Sequence, residues 1–507
     1  MMESLPAVET NETISVTSPI SGEVVGRVAV TPAQGVRTAA ARARAAGHEW
    51  AARPFRERAA VINRFHDLLL REKEELIAVL RAESGKSRRD AFIEIFAVAN
   101  EARYYAAHGA RLLRPHGARS VIPLRDRARV HYHPYGVVGL IAAYNFPLVL
   151  TIGDTIPALL AGNGVVLKPS ELVPLSAAWG RDKLIEAGLP PDLLQIVNGG
   201  PETGRAVVES VDFVLFTGSI EAGRAVAQQA AARLIPFTVE LGGKNALIVL
   251  EDANLRQAVN AALDGAFANA GQICLCWERV YVHEAIYDRF RERLAQEAAR
   301  LRLSPDGDHH TDIGAIIDAR HVEKIEAHVQ DALAKGAVLV TGGRRRPDLG
   351  PTFYEPTILE GVTPEMRMYA EETFGPVIAL HRFRDVEEAI RLANATDTGL
   401  NFGVMTRDLR RAEAIAARLE AGSVAINDSA YYTWGAMAAP LGGHKQSGIG
   451  RRHGPDGIRQ FTWAQSIVIN HSGELVRSFE SALAMNQTLE RLLTIGLHLW
   501  RHIPFIR

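Results

Sequence analysis

The sequence predicts an α/β protein built around a parallel β-sheet that helices cover on both faces. Between Gly136 and Leu250, short runs of consecutive apolar residues alternate with stretches of helical periodicity. Strands that are apolar throughout are typical of a parallel sheet buried on both faces. The 507 residues are 47% hydrophobic and 23% charged, as in ordinary globular proteins. In such a sheet we expect a ligand beyond the carboxyl ends of the strands.

The first part of the chain is predicted to be helical. From about Gly35 to Arg114, apolar residues recur at spacings of three and four, with charged residues between them. Gly85 is a candidate helix C-cap. Two strand-like runs follow, RSVIPL and ARVHYHPY, and Asp126 with Arg127 is predicted to form a hairpin turn between them.

The predicted parallel sheet begins after Tyr135. Its strands are the runs GVVGLIAA, GVVLKPS, LLQIVNG, FVLFTGS, FTVELGG and NALIVL. A second alternating region, from about Ala266 to Ile426, predicts another α/β layer. The late run FTWAQSIVIN predicts a strand with no partner nearby in the sequence.

Composition argues against several classes of protein. The net charge is −1, so a nucleic-acid partner is not expected. The N-terminus has neither a basic start nor an apolar core, so no signal peptide is predicted. The chain has only two cysteines, too few to staple a secreted scaffold, which predicts a reducing cytoplasm. No metal site is expected, because the histidines lack ligand spacing.

Three polar residues are candidates for catalysis. Cys274 follows the small-residue segment FANAGQI and could be a nucleophile, or a buried structural cysteine. Glu240 ends a predicted strand and could be a general base, or a carboxylate that faces solvent. The Asn145 amide could donate to a developing oxyanion, or Asn145 could be a turn residue.

Two further segments indicate a nucleotide. The run LKPSE places Lys168, Ser170 and Glu171 after a strand, where a lysine and a carboxylate could hold ribose hydroxyls. Gly218 and Gly223 flank a predicted helix start, which is a natural seat for a pyrophosphate. Their spacing is neither the usual dinucleotide fingerprint nor a P-loop, so spacing alone does not identify the nucleotide.

Together these segments closely resemble the aldehyde dehydrogenase superfamily, over roughly Ile14 to Ile469. The motifs that carry the resemblance occur in the family's order. They are Asn145-Phe146-Pro147, Lys168-Pro169-Ser170-Glu171, Phe216-Thr217-Gly218-Ser219, Glu240-Leu241-Gly242-Gly243-Lys244, Gly271-Gln272-Ile273-Cys274, Glu372-Thr373-Phe374-Gly375-Pro376 and PLGGHKQSGIGR.

The resemblance implies oxidation of a small-molecule aldehyde to the free acid. Cys274 would attack the aldehyde, and the Asn145 amide with the Cys274 backbone N–H would hold the oxyanion. Hydride would pass to NAD(P), and Glu240 would activate the water that hydrolyses the thioester. A CoA-acylating relative is the first alternative, and Glu240 argues against it. A catalytically silent structural relative is the second, and Cys274 argues against that.

The resemblance also implies the residues that bind the cofactor. They are Lys168, Ser170, Glu171, Gly218, Ser219, Gly223, Leu241, Glu372 and Phe374. Glu171 favours NAD, because its charge would repel the ribose 2′-phosphate of NADP, although some family members accept both.

A three-part subunit in a homodimer or homotetramer follows from the same resemblance. The NAD(P)-binding domain would span residues 1–118 and 136–249, and the catalytic domain residues 250–442. Residues 119–135 and 462–471 would form an oligomerisation flap, which would explain the late strand. Residues 472–507 would form a C-terminal tail.

Within the superfamily, the chain resembles bacterial succinate-semialdehyde dehydrogenases of the second type. Two positions where better-known succinate-semialdehyde enzymes carry arginine are Gly153 and Ala268, so the usual carboxylate anchors are missing. Arg452 could replace such an anchor, but we favour a structural arginine at a helix end. Aromatic residues in the loop that lines the family's substrate tunnel would either suit an aliphatic or aromatic aldehyde or only pack the wall; they are Tyr431, Tyr432 and Trp434.

Two features stay open at this level. Cys276 could cap Cys274 reversibly under oxidation, as in the redox pair of other succinate-semialdehyde enzymes, or it could be a small buried residue. The tail TLERLLTIGLHLWRHIPFIR is amphipathic and too short and charged to span a bilayer. We favour packing on a neighbouring subunit or near the tunnel mouth over contact with a membrane surface.

Overall fold

The computed structural model describes residues 12–118, 126–470 and 487–501. The helices, numbered in chain order, are α1 Ala33–Ala52, α2 Phe55–Arg71, α3 Lys73–Ser84, α4 Arg88–Leu112, α5 Asp154–Ala161, α6 Leu175–Glu186, α7 Pro201–Ser210, α8 Ile220–Ala232, α9 Leu255–Phe267, α10 Tyr287–Ala298, α11 Ala319–Ala334, α12 Arg367–Ala370, α13 Val386–Asn394, α14 Leu409–Ala416, α15 Ala430–Gly435, α16 Gly454–Arg459 and α17 Gln487–Trp500.

Strands occur in five sheets of the described residues. They are β1 Thr13–Thr17, β2 Val24–Ala29, β3 His116–Ala118, β4 Asp126–Pro134, β5 Val137–Ile141, β6 Gly164–Lys168, β7 Leu194–Ile196, β8 Phe213–Gly218, β9 Phe237–Leu241, β10 Asn245–Val249, β11 Trp277–His283, β12 Val338–Thr341, β13 Thr357–Glu360, β14 Val377–Phe383, β15 Thr398–Gly399, β16 Asn401–Met405, β17 Ser423–Ile426, β18 His444–Lys445, β19 Gly448–Ile449 and β20 Thr462–Asn470.

The chain forms two compact units. One comprises the chain up to Leu112 together with Pro134–Phe461, and the other comprises Leu113–His133 with the chain from Thr462 onward. The larger unit holds a six-stranded sheet in the order β19-β9-β8-β5-β6-β7 and a seven-stranded sheet in the order β12-β13-β14-β11-β10-β16-β17. Most neighbouring strands in both sheets are parallel. The predicted α/β class is therefore confirmed.

Helices cover both faces of the seven-stranded sheet, as the apolar strands predict. Along β10, Leu247 and Val249 belong to one buried cluster, whereas Ala246 and Ile248 belong to another on the opposite face. Every residue of this strand is buried. Because successive side chains of a strand point to opposite faces, a strand buried on both faces is expected to be apolar, and in β10 only the first residue, Asn245, is polar.

The structure corrects the predicted place of the run NALIVL. We expected it in the same sheet as FTVELGG, but β10 pairs with β11 and β16 in the seven-stranded sheet. An apolar strand fits the middle of either sheet equally well, so its pattern did not distinguish them. The chain passes between the two sheets at residues 242–244, and the proposed domain boundary near residue 249 would lie there instead.

The N-terminal helices agree with the predicted periodicity, with one interruption. The long run that begins in RAAVINRF is divided at Glu72, whose φ of −105° and ψ of 21° end α2 before α3 begins. Gly85 is the C-cap of α3 and has a φ of +73°, which confirms that prediction.

The smaller unit contains the sheet β20-β4-β3. The late strand thus finds its partner in β4, more than 300 residues earlier in the chain. The predicted turn at Asp126 and Arg127 is wrong, because both residues lie in β4, while the run RSVIPL lies outside the described residues. Residues 116–118, which we assigned to the nucleotide domain, pair with β4. The oligomerisation role of this sheet stays a prediction.

The described part of the C-terminal tail is the helix α17. Its exposed apolar side chains include Ile495, Leu497 and Leu499. None of the helices in the described ranges has both the length and the apolar character that a membrane crossing requires.

Candidate active site

A cavity of about 980 Å³ lies in the larger unit beyond the carboxyl ends of β5, β6, β8 and β9. This is where a ligand is expected in a parallel sheet. Most of the predicted site residues line it: Asn145, Lys168, Ser170, Glu171, Gly218, Ser219, Glu240, Leu241, Cys274, Glu372 and Phe374. The predicted catalytic and cofactor-binding residues, scattered over 230 positions of the sequence, are thus brought to one place.

The loop that carries Cys274 has an unusual backbone. Asn269, Ala270 and Gly271 have φ values of +50°, +53° and +73°, which is the left-handed region. Side chains other than glycine adopt this region at a cost of order 1 kcal/mol or more. A Cβ atom at Gly271 would lie 2.1 Å from the carbonyl oxygen of Gly375, so this position also needs glycine for space. The loop turns the chain sharply from α9 towards β11.

Two buried side-chain amides donate hydrogen bonds to the carbonyl oxygens of this loop. Asn245 Nδ2 donates to the carbonyl oxygens of Cys274 at 2.7 Å and Cys276 at 3.0 Å. Asn401 Nδ2 donates to the carbonyl oxygen of Leu275 at 3.2 Å. The main chain around Cys274 is therefore anchored on the first residues of β10 and β16. Neither asparagine was identified from the sequence. The only local sign of each is its position directly before an apolar run.

Asn145 is anchored by a buried lysine that the sequence analysis also missed. Lys86 Nζ donates to the main-chain oxygen of Asn145 at 2.6 Å and to Asn269 Oδ1 at 2.7 Å. It also lies 3.4 Å from Glu94 Oε1, and both side chains are almost completely buried. The Asn145 side chain donates from Nδ2 to the main-chain oxygen of Gln272 at 3.0 Å. An amide nitrogen carries two hydrogens, so one of them remains for a ligand.

Burial dominates the electrostatics of the reactive groups. It raises the pKa of the Cys274 thiol to about 12, with a further contribution from the Glu372 carboxylate. Burial also raises the pKa of Glu240 to about 7, opposed by the positive charge of Arg452. Glu240 Oε1 is buried without a hydrogen-bond partner. A carboxylate with a pKa near neutrality and a free oxygen is suited to act as a general base.

The other end of the cavity has the features that a dinucleotide needs. Lys168 Nζ lies 3.3 Å from Glu171 Oε2, which places an amine and a carboxylate side by side at the end of β6. The N-terminus of α8 faces the cavity, and the Ser219 hydroxyl caps it by accepting from Ala222 N at 3.2 Å. Free backbone N–H groups at a helix N-terminus favour a pyrophosphate. The residues present therefore fit a dinucleotide.

Glu372 and Phe374 are positioned by a buried ion pair. Glu278 accepts from the backbone N–H groups of Thr373 and Phe374 at 2.9 Å and pairs with Lys244. Glu372 Oε1 accepts from Gly243 N at 2.9 Å, and burial raises the Glu372 pKa to about 7. Glu278 is a further residue that the sequence analysis did not identify.

Gly223 lies outside the lining of this cavity. A Cβ atom there would come within 2.3 Å of the Leu241 side chain, so glycine at this position lets α8 pack against β9. Gly223 thus affects the cavity through the placement of α8 rather than by lining it.

The comparisons with known proteins agree with this geometry. Residues 7–467 match the sequence model of the aldehyde dehydrogenase family. The chain belongs to the aldehyde dehydrogenase family. It is 43% identical to the "Putative succinate-semialdehyde dehydrogenase [NADP(+)]" of Mycolicibacterium smegmatis over 92% of this chain and 90% of that one. It is 38% identical to the mitochondrial succinate-semialdehyde dehydrogenase of Arabidopsis thaliana over 89% and 85% of the two chains.

A solved structure shows the same likeness. The betaine aldehyde dehydrogenase of Staphylococcus aureus in complex with NAD+ superimposes with a TM-score of 0.87 at 32% identity, over 93% of this chain and 95% of that one. This aldehyde dehydrogenase is thus an oxidoreductase that oxidises aldehydes with NAD(P). The resemblance stated from the sequence is confirmed.

The contacts of Arg452 match neither of its two predicted roles, a substrate anchor or a structural arginine at a helix end. Its guanidinium donates from Nε and Nη2 to the Asp154 carboxylate at 2.9 and 2.8 Å, and from Nη2 to Thr217 Oγ1 at 2.7 Å. Arg452 lies just before α16, but its charge is committed to α5 and β8 rather than to the helix end. Because it already forms a bidentate ion pair, this geometry disfavours a substrate-anchoring role.

The remaining predicted residues lie around the nucleophile loop. Tyr431 and Trp434 pack with Phe146 and Cys274 against the core of the seven-stranded sheet, and the Tyr432 side chain is outside the described part of the structure. The Cys276 thiol is buried and donates weakly to the Ala266 carbonyl at 3.8 Å. Both cysteines are free thiols. This packing favours the structural interpretation of Cys276, and its redox role stays a prediction.

Proposed function

We propose that this enzyme converts an aldehyde to the free carboxylic acid through a thioester on Cys274. The observation that carries the proposal is the shared cavity of Cys274 and Glu240, in which Glu240 has an unpartnered oxygen and a pKa near 7. Nucleophile and base are the two groups that this chemistry requires.

In the first half of the reaction, the Cys274 sulfur attacks the carbonyl carbon of the aldehyde. A pKa of about 12 leaves the free thiol almost wholly protonated at neutral pH, so a base must accept its proton. Solvent that enters the cavity is proposed to accept it, so that the Glu240 carboxylate stays available for the second half. The remaining N–H of the Asn145 amide and the backbone N–H of Cys274 hold the oxyanion of the thiohemiacetal. When bound, NAD(P) would accept a hydride from the carbon of this adduct, and loss of that hydride would leave a thioester on Cys274.

In the second half, Glu240 takes a proton from water. The water oxygen attacks the thioester carbon, the carbon–sulfur bond breaks, and the Cys274 thiol is restored with the proton. Glu240 is buried, so the attacking water and the base meet in a medium of low dielectric constant, which strengthens their interaction.

Replacing Glu240 with glutamine is expected to separate the two halves. One equivalent of NADH per subunit should form, because the first half does not need Glu240. Turnover should then fall by about 10²- to 10⁴-fold, because the thioester has no base for its hydrolysis. Rapid mixing with detection at the NADH absorbance measures both phases. Full steady-state turnover by this variant would contradict the role of Glu240.

The CoA-acylating alternative predicts a different product. A free acid formed at the same rate with and without CoA supports hydrolysis by Glu240. Formation of an acyl-CoA, with no acid in the absence of CoA, would support the alternative.

We further propose succinate semialdehyde, or a broader aliphatic or aromatic aldehyde, as the substrate. The names of the relatives support the former. The latter is supported by Gly153 and Ala268 at the two positions of the usual arginine anchors. An arginine at position 153 would have to displace Glu101, whose Oε2 lies 3.0 Å from where a Cβ atom would be.

A panel of aldehydes tests this choice. If succinate semialdehyde is the substrate, its kcat/KM should exceed those of benzaldehyde and straight-chain aldehydes by at least about tenfold, a difference of about 1.4 kcal/mol in transition-state binding. Equal values would support the broader range. The same panel with NAD and NADP decides the cofactor preference, for which Glu171 favours NAD and the name of the mycobacterial relative favours NADP.

A homodimer or homotetramer is proposed, with the sheet of the smaller unit as the contact. The apolar side chains exposed on β20 support this, among them Trp463, Ile467 and Val468. The two free thiols support a reducing, cytoplasmic location.

A further inference from the structure

The ion pair of Arg452 and Asp154 lies next to the general base. Only 6% of each side chain is exposed, and Arg452 Nη1 lies 3.8 Å from Glu240 Oε2. The pair joins residues 298 positions apart in the chain. Because burying two charges costs several kcal/mol per ion, a buried pair at this place needs a further explanation besides stability.

The distance between Arg452 and Glu240 has a chemical consequence. At 3.8 Å the two charges attract strongly in a buried site, but the separation is too long for a hydrogen bond. The lone pairs of Glu240 therefore stay free to accept a proton, and Oε1 has no hydrogen-bond partner. A direct bidentate contact, such as the one that Asp154 makes, would have occupied them.

We propose that Arg452, held in place by Asp154, is a positioning residue that keeps the Glu240 carboxylate ionised and available to activate water. This inference rests on the proposed role of Glu240 in hydrolysis of the thioester. Asp154 fixes the guanidinium through two hydrogen bonds, and Thr217 adds a third from β8.

The charges around Glu240 have opposing effects on its pKa. Burial raises the pKa, Arg452 lowers it, Asp154 raises it and Arg451 lowers it, in that order of size. The Cys274 thiol faces Glu240 from the nucleophile loop and is protonated at neutral pH. Arg452 is thus the main group that opposes burial. Without it, the pKa of Glu240 is expected to rise above 7, and less of the base is ionised at neutral pH.

The test compares three variants of the full-length enzyme over about pH 5 to 9. In Arg452→Met, the acidic limb of the post-burst rate should move to higher pH by about 1 to 3 units, because an opposite charge this close lowers a carboxyl pKa by that amount. The double variant Asp154→Asn/Arg452→Met also removes the negative charge of Asp154, which raises the Glu240 pKa, and it leaves neither partner of the ion pair buried alone. Its acidic limb should therefore lie between those of the wild type and Arg452→Met. Arg452→Lys should restore a limb near that of the wild type.

The NADH burst distinguishes this role from a merely structural one. The burst amplitude should stay near one per subunit in each variant that folds, because acylation is retained. The post-burst rate at neutral pH should fall about tenfold or more in Arg452→Met, less in the double variant and little in Arg452→Lys. An acidic limb that stays at the wild-type pH in the double variant would overturn the proposal. So would a burst amplitude that falls by the same factor as the post-burst rate in Arg452→Met. If Glu240→Gln gives full turnover, the proposed base itself fails, whatever the Arg452 variants do.

Discussion

Replacing Cys274 with alanine is expected to lower the kcat for NAD(P)-linked aldehyde oxidation by roughly 10⁴-fold or more. Loss of the nucleophile in an enzyme that works through a covalent intermediate typically costs this much or more. The fold and cofactor binding should be retained, since the neighbouring carbonyls are held by Asn245 and Asn401 through the main chain. Steady-state kinetics with isothermal titration of NAD(P) measures both.

Cys276→Ala is the matched control for this experiment. It removes the other thiol of the same loop, whose sulfur contacts the Ala266 carbonyl. Its kcat should stay within a few-fold of the wild type. A residual rate of the Cys274→Ala variant equal to that of Cys276→Ala would contradict the assignment of the nucleophile. Peroxide inactivation that dithiothreitol reverses equally in the wild type and in Cys276→Ser would remove the proposed redox role of Cys276.

Replacing Lys86 with methionine is expected to destabilise the protein by about 3–5 kcal/mol. The substitution leaves Glu94 buried without its cation and removes the donor to the Asn145 main chain and the Asn269 side chain. The nearby Asp90 carboxylate, also fully buried, loses the same compensating charge. Chemical denaturation followed by circular dichroism should show a large decrease in the unfolding midpoint.

Two comparisons make this prediction specific to the buried charge. Arg88 lies two residues after Lys86 and forms a more exposed ion pair with Glu74. Arg88→Met should therefore lower the unfolding midpoint far less than Lys86→Met. The double variant Lys86→Met/Glu94→Gln removes both charges and should recover part of the loss. If Lys86→Met lowers the unfolding midpoint no more than Arg88→Met does, the buried contacts of Lys86 do not stabilise the protein as expected.

The residues proposed to carry the chemistry could be selected from short segments of sequence. Each lies beside a recognisable local pattern: Glu240 is the penultimate residue of an apolar strand that two glycines follow, and Cys274 follows a segment of small residues. The rule that parallel strands present their carboxyl ends at one edge accounts for Glu240, but Cys274 precedes β11 in the other sheet and is brought to Glu240 by the fold. The structure places them in one cavity.

The residues that hold this site in place could not be predicted in the same way. Lys86, Asn245 and Glu278 have no motif of their own, and each acts through a partner that is distant in sequence. A lysine in a helical region usually faces solvent, so nothing local indicates that Lys86 is buried. Its role depends on the approach of Asn145 and Asn269, which only the tertiary packing brings about.

By itself, the sequence determined the fold class and the family, and it pointed to Cys274, Glu240 and Asn145 as the proposed nucleophile, base and oxyanion donor, because periodicity, strand ends and turn residues are local properties of the chain. The tertiary structure decided which sheet receives the strand β10 and which partner each buried charge obtains. The arginine at position 452 shows the difference most clearly. Local sequence allowed a substrate anchor or a helix-end residue, but the fold brings Asp154 and Glu240 to it. The free energy of a buried charge depends on its neighbours in space, and those neighbours come from distant parts of the chain.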